Sequence, residues 1–216
     1  MTNPKICKRK MSIFLNRLVK SMPESSAKIK QMLLERPDEL KDDISSVFFF
    51  SQGFKIWRTI TLGGFKDWKK ANQKIEKAGM KNSIKENILE KISFEKNKTK
   101  IDIMLFSLAD LGLDSDLNRT YGVEYQEICE RAKQLGLLMC PVEVGLQLRL
   151  QYKDQPIGEW IVIATEPIID SNNEPKLFIV GRNNIGFWLN CKQYKKMDDF
   201  WSGERLFAFA IKQWNS

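Results

Sequence analysis

Histidine is absent from all 216 residues of this chain. That removes Ser-His-Asp and Cys-His nucleophilic catalysis, imidazole acid/base chemistry and every zinc site that needs a histidine ligand. Cysteine is sparse: Cys7, Cys129, Cys140 and Cys191 are scattered over the whole length with no C-x-x-C spacing. The expectation is four reduced thiols in a cytoplasmic protein, not a disulfide framework or a thiolate metal centre. No apolar run approaches the roughly 20 residues that cross a bilayer, so no transmembrane segment is expected. Acidic residues are missing from Met1 to Lys20, but the apolar part of that stretch, Met11 to Val19, is broken by Asn16 and Arg17. A cleaved signal peptide is therefore not expected. There is no internal repeat and no low-complexity linker.

What is present is the composition of a packed protein, with 43% apolar residues, 13 Phe and 6 Trp. Its charge is unevenly spread. Residues 1–100 carry 23 Lys+Arg against 11 Asp+Glu, a net of +12, whereas residues 101–216 carry 12 against 16, a net of −4, which together make the chain's +8. A basic half of that size suits an acidic protein partner or nucleic acid. A solvated lysine surface is the plainer alternative.

Residues 1–54 read as a basic helical extension. Ile13, Phe14, Leu18 and Met22 make one apolar stripe, and Leu40, Ile44, Val47 and Phe48 make another after the helix-start signal Pro37-Asp38-Glu39. Residues 55–216 read as an α+β domain. Lys55 to Leu62 alternates as a strand and stops at Gly63-Gly64. A helix with Trp68, Ala71 and Ile75 on its inner face follows, exposing Lys69, Lys70, Lys74 and Lys77. Ser83 and Glu86 have the spacing of a capping box for a second helix through Ile88 and Ile92. The pair of helices across Gly79 has the outline of a helix-turn-helix with Lys81, Lys85 and Lys91 toward a phosphate backbone, but with few side chains able to read bases. Lys100 to Phe106 is a strand, and Tyr125, Ile128, Ala132 and Leu135 mark a helix ended by Gly136. The rest reads as a C-terminal antiparallel β-meander of about five strands: 146–152, 160–165, 177–182, 187–194 and 206–212. Turn signals lie at Asp154–Gly158, Ser171–Pro175 and Asn183–Gly186.

The densest group of polar residues lies at 143–159. Read as a strand, Leu146 to Tyr152 places Leu146, Leu148, Leu150 and Tyr152 on one face and Gln147, Arg149 and Gln151 on the other. An arginine between two amides, with Gln155 nearby, is a set that holds a carboxylate or phosphate. Glu143, Asp154 and Glu159 are the candidate catalytic carboxylates, for acid/base work or for oxygen ligation of a divalent ion. The plainer reading makes them turn caps and partners of Arg149. Cys140 before Pro141 suits a turn into a short helix and a buried, inert thiol.

Trp57-Arg-Thr-Ile-Thr-Leu-Gly63, Glu130-Arg-Ala-Lys-Gln-Leu-Gly136, Cys140-Pro-Val-Glu-Val-Gly145 and Leu148-Arg-Leu-Gln-Tyr-Lys-Asp-Gln-Pro-Ile-Gly-Glu-Trp160 resemble blocks of a group of uncharacterised bacterial proteins. The resemblance covers about residues 55–212 and implies one α+β unit, with no activity to carry over. The functional expectation is a non-enzymatic cytoplasmic binding protein whose basic half meets an acidic protein or nucleic acid. The alternatives are a histidine-independent enzyme built on the carboxylate/arginine cluster, with or without a metal, and a secreted bacterial effector or inhibitor acting on a host or phage protein. No cofactor and no dedicated metal site is implied.

Overall fold

A computed structural model describes residues 55–113, 123–193 and 205–211. The expected helical extension at 1–54 lies outside the described residues, as do the ends of the strands expected to reach 194 and 212.

The chain builds β1 (Arg58–Leu62), α1 (Trp68–Lys77), β2 (Lys81–Asn82), α2 (Glu86–Leu89), β3 (Thr99–Phe106), α3 (Tyr125–Gln134), α4 (Val144–Gln151), β4 (Trp160–Ile163), β5 (Ile168–Ile169), β6 (Pro175–Asn183), β7 (Gly186–Gln193) and β8 (Leu206–Ile211). The strands form one open, mostly antiparallel sheet in the order β1-β3-β8-β4-β6-β7-β2, with β5 paired to β6. Among the described residues only β4 with β8 and β2 with β7 run parallel. The protein is thus of mixed α and β type, and among the described residues no helix is long and apolar enough to cross a membrane.

Both faces of the central strands are buried, and the two-residue period sorts their side chains. Ile103, Ile161, Ile163, Phe178, Val180, Ala208 and Ala210 join the cluster that contains Ala71 and Ile75 of α1 and Val144, Leu146, Leu148 and Leu150 of α4. Their alternates Met104, Phe106, Val162, Phe207 and Phe209 are buried outside that cluster. There Tyr125 of α3 stacks on Phe207 with ring centroids 6.4 Å apart, and Phe106 meets Phe209 edge-on at 6.2 Å. Gly145 sets how closely α4 approaches β6: a Cβ there would lie 2.4 Å from Phe178 Cδ2.

The meander is not continuous. Asn183 turns β6 into β7 as expected, accepting from the N–H groups of Ile185 and Gly186. β8, however, returns to lie between β3 and β4 instead of beside β7. The larger correction concerns residues 146–152, which form helix α4 and not a strand. Every residue from Val144 to Leu150 is buried. Strand alternation is diagnostic only where one face meets water. In α4 the polar residues point into protein and bond there, so their spacing carried no information about exposure.

The capping box is also absent. Ser83 follows β2 and donates to Asn190 Oδ1 on β7, while the N-cap of the four-residue α2 is Lys85 with no side-chain cap bond. With strand β2 between α1 and α2, the helix-turn-helix outline does not form.

Candidate functional site

Glu143, Gln147 and Gln151 stand four residues apart on one stripe of α4 and its N-cap. They face the edge of β1 that β3 does not use. The N–H of Gly63 donates to Glu143 Oε1 at 2.6 Å, and Gln147 Nε2 donates to the Gly63 carbonyl at 2.9 Å. One step along, Gln151 Oε1 accepts from the Thr61 N–H at 2.9 Å while its Nε2 donates to the Thr61 carbonyl at 2.8 Å. Four helical residues rise about 6 Å, and two strand residues advance about 6.8 Å. The repeats match closely enough for side-chain carboxamides to serve where a neighbouring strand would supply backbone groups. The stripe is tied together internally, with Gln147 Nε2 also donating to Glu143 Oε1 and Gln151 Nε2 to Gln147 Oε1. Glu143 Oε2 accepts from the Glu95 N–H at 2.8 Å, clamping the loop before β3.

Arg149 is fully buried. Its Nη1 donates to Gln155 Oε1 at 2.6 Å and to the Gly181 carbonyl at 3.0 Å, and its Nη2 donates to the Tyr152 carbonyl. The guanidinium also lies over the Phe187 ring, 4.7 Å from its centroid, with Arg182 over the same ring at 4.6 Å. Loss of water lowers the Arg149 pKa to about 10, and the neighbouring Arg182 charge pushes the same way. Gln155 completes the nest by donating to the Glu159 and Val180 carbonyls.

The three candidate carboxylates therefore have separate structural partners, and none pairs with Arg149. Asp154 is exposed and takes Arg58 Nη2 on both oxygens at 2.9 and 3.0 Å, which holds its carboxyl below the usual range. Glu159 accepts from the Tyr152 hydroxyl at 2.7 Å; burial and this bond push the phenol upward. Arg58 also covers the Tyr152 ring at 4.4 Å, and Trp57 meets that ring edge-on at 4.9 Å. Glu143 sits at the other end of α4. Among the described residues no group of three or more Cys, Asp or Glu is arranged to hold a metal ion. Cys140 is buried, with its thiol pKa pushed up by desolvation, and Cys129, Cys140 and Cys191 are not disulfide-bonded.

The lysines are arranged differently. Asp67 caps α1 by accepting from the Lys70 N–H, and Ala71 and Ile75 bury the inner face. Lys69, Lys70, Lys74 and Lys77 are exposed, and Glu76 is the only acid in the helix. Beside the α4 stripe, a cavity of about 330 Å³ is bordered by Gly63, Gly64, Phe65 and Leu150 and by three lysines, Lys74, Lys98 and Lys153. None of its lining residues is acidic. Sequence reasoning included Lys74 but missed Lys98 and Lys153, which are separated in sequence from α1. The signal available was Gly63-Gly64, a pair with φ of 78° and 85° whose backbone lies close to Asn97 and Lys98.

No protein-family model, curated protein or solved structure matches this chain.

Proposed function

We propose that this is a non-enzymatic, cytoplasmic binding protein whose basic surface, centred on α1, receives an acidic partner, protein or nucleic acid. The observation that carries this reading is the set of lysines without counter-charge. Lys69, Lys70, Lys74 and Lys77 project from one short helix, and none of them has a carboxylate partner within ion-pair distance among the described residues. Four exposed ammonium groups on one short helix raise the local positive potential, and a polyanion is drawn to it while releasing its own counter-ions. The carboxylates near 143–159 are occupied by backbone, arginine and tyrosine partners, which suits a scaffold more than proton transfer.

Fluorescence polarisation with labelled mixed-sequence DNA, RNA and a polyglutamate peptide, repeated over a salt series, tests the proposal. Binding that weakens with salt is expected, with a shallower salt dependence in a variant carrying Lys69→Glu, Lys70→Glu and Lys77→Glu. Absence of binding to all three probes at low salt, or an unchanged salt slope in that variant, refutes it.

A further inference from the structure

We infer that the cavity between the β1 edge, the Gly64-Phe65 turn and the second half of α4 is a binding site for a small phosphomonoester, with Lys74, Lys98 and Lys153 around the phosphate and Phe65 and Leu150 against the organic part. This rests on the basic-surface reading only through Lys74, which belongs to both.

The size is right for a small molecule, since about 330 Å³ lies at the lower end of the roughly 300–1,000 Å³ typical of ligand pockets. The polar groups of Gln147 and Gln151 also line it, but they are spent on Thr61, Gly63 and each other. They form a fixed floor, leaving the ammonium groups to set the ligand's charge. None of Lys74, Lys98 and Lys153 has a carboxylate within ion-pair distance among the described residues. Lys98 is placed by its stem: its Cε lies 3.3 Å from where a Cβ on Gly64 would stand, so glycine at this position leaves room for it. Lys74 lies over the Phe65 ring, 5.6 Å from the centroid. Three lysines lining one cavity with no acid among the lining residues favour the dianion of a phosphomonoester, about −1.5 to −2 at pH 7, over a monocarboxylate. Lysine binds phosphate as a point charge and needs no bidentate geometry.

Isothermal titration of the full chain with inorganic phosphate, phenyl phosphate and benzoate tests the assignment. Phenyl phosphate is expected to bind at least about tenfold more tightly than benzoate and more tightly than inorganic phosphate, because only it joins a dianion to an aromatic ring. Lys98→Met and Lys153→Met, each checked for folding by circular dichroism, should weaken phenyl phosphate at least about tenfold. Lys133→Glu, an exposed change on α3, should leave it unchanged. No saturable phenyl phosphate binding at millimolar concentration, equal affinity for benzoate, or unchanged affinity in both methionine variants overturns the inference. An oligonucleotide without terminal phosphates that displaces phenyl phosphate also overturns it, by assigning the cavity to a phosphodiester. The Lys69/Lys70/Lys77 charge-reversal variant separates the two readings. It should weaken polyanion binding and flatten its salt dependence yet keep phenyl phosphate affinity; in the parent chain, polyanion binding without phenyl phosphate binding sinks this inference alone, and the reverse sinks only the surface reading.

Discussion

Replacing Gln151 by leucine removes one rung of the side-chain ladder on the β1 edge while nearly conserving volume. The Thr61 N–H and C=O both lose their partner, at present 2.9 and 2.8 Å away, and Gln147 Oε1 loses a longer bond of 3.3 Å. A hydrogen bond contributes about 0.5–1.5 kcal/mol net, and a fully buried orphan costs about 1–3 kcal/mol. Thr61 is half-buried, so water recovers part of the loss, and about 1 kcal/mol per backbone group is the appropriate figure. The extra apolar surface of leucine at a half-buried position returns less than about 1 kcal/mol. The net expectation is a destabilisation of about 1–2 kcal/mol. Urea unfolding should show a lower midpoint with an unchanged slope, and hydrogen exchange should show faster exchange at Thr61. Gln151→Glu should be worse than leucine, because its carboxylate accepts from the Thr61 N–H but opposes two acceptor oxygens. Gln126→Leu on α3, where an exposed amide bonds Glu130, should lie within about 0.5 kcal/mol of the parent. If Gln151→Leu also lies within that margin and Thr61 protection is unchanged, the ladder does not support the edge and the reasoning fails.

Other positions give independent checks. Arg149→Lys should cost more than about 2 kcal/mol in urea unfolding, because a single ammonium cannot reproduce the fork that serves Gln155 and the Gly181 and Tyr152 carbonyls. Gly181→Ala places a Cβ 2.0 Å from Trp160 Cε3, and should destabilise by about 1–3 kcal/mol, with partial recovery in the double variant with Trp160→Val. Burial pushes the Cys129 thiol up to about 11, against an opposing hydrogen bond with Tyr125. The folded protein therefore keeps a proton that the unfolded chain releases near pH 9. The corresponding stability is complete below that pH and is lost as pH rises through about 11. Site-resolved iodoacetamide labelling should show half-buried Cys129 and buried Cys140 reacting far more slowly than free cysteine at pH 8; equal rates would contradict the desolvation of these thiols.

Much of the fold was legible because local signals and burial agreed. Gly136, with φ of 79°, ends the packing surface of α3, whose Tyr125, Ile128 and Ala132 are buried at the spacing read from the sequence. Arg58 to Leu62 alternates because Ile60 and Leu62 pack inward while Arg58, Thr59 and Thr61 do not; Thr99 to Phe106 was legible as a strand, but both of its faces become buried toward Phe106. The candidate site was legible only as a list of residues. Glu143, Gln147, Arg149 and Gln155 were singled out as polar groups beside a core element, and all are buried, but each one bonds a segment 25 to 84 residues distant.

By itself, the sequence determined the missing histidine chemistry, the uneven charge, the turns and most strand positions, since these follow from residue types and short-range geometry. Tertiary structure alone decided that Leu146 to Gln151 is a helix, because only the bare edge of β1 gives Glu143, Gln147 and Gln151 partners at the helical repeat. It also decided that β8 enters between β3 and β4, and that Lys74, Lys98 and Lys153 border one cavity. Local preference cannot encode such pairings: the gain comes from groups far apart in the chain, and it appears only after the intervening segments have packed.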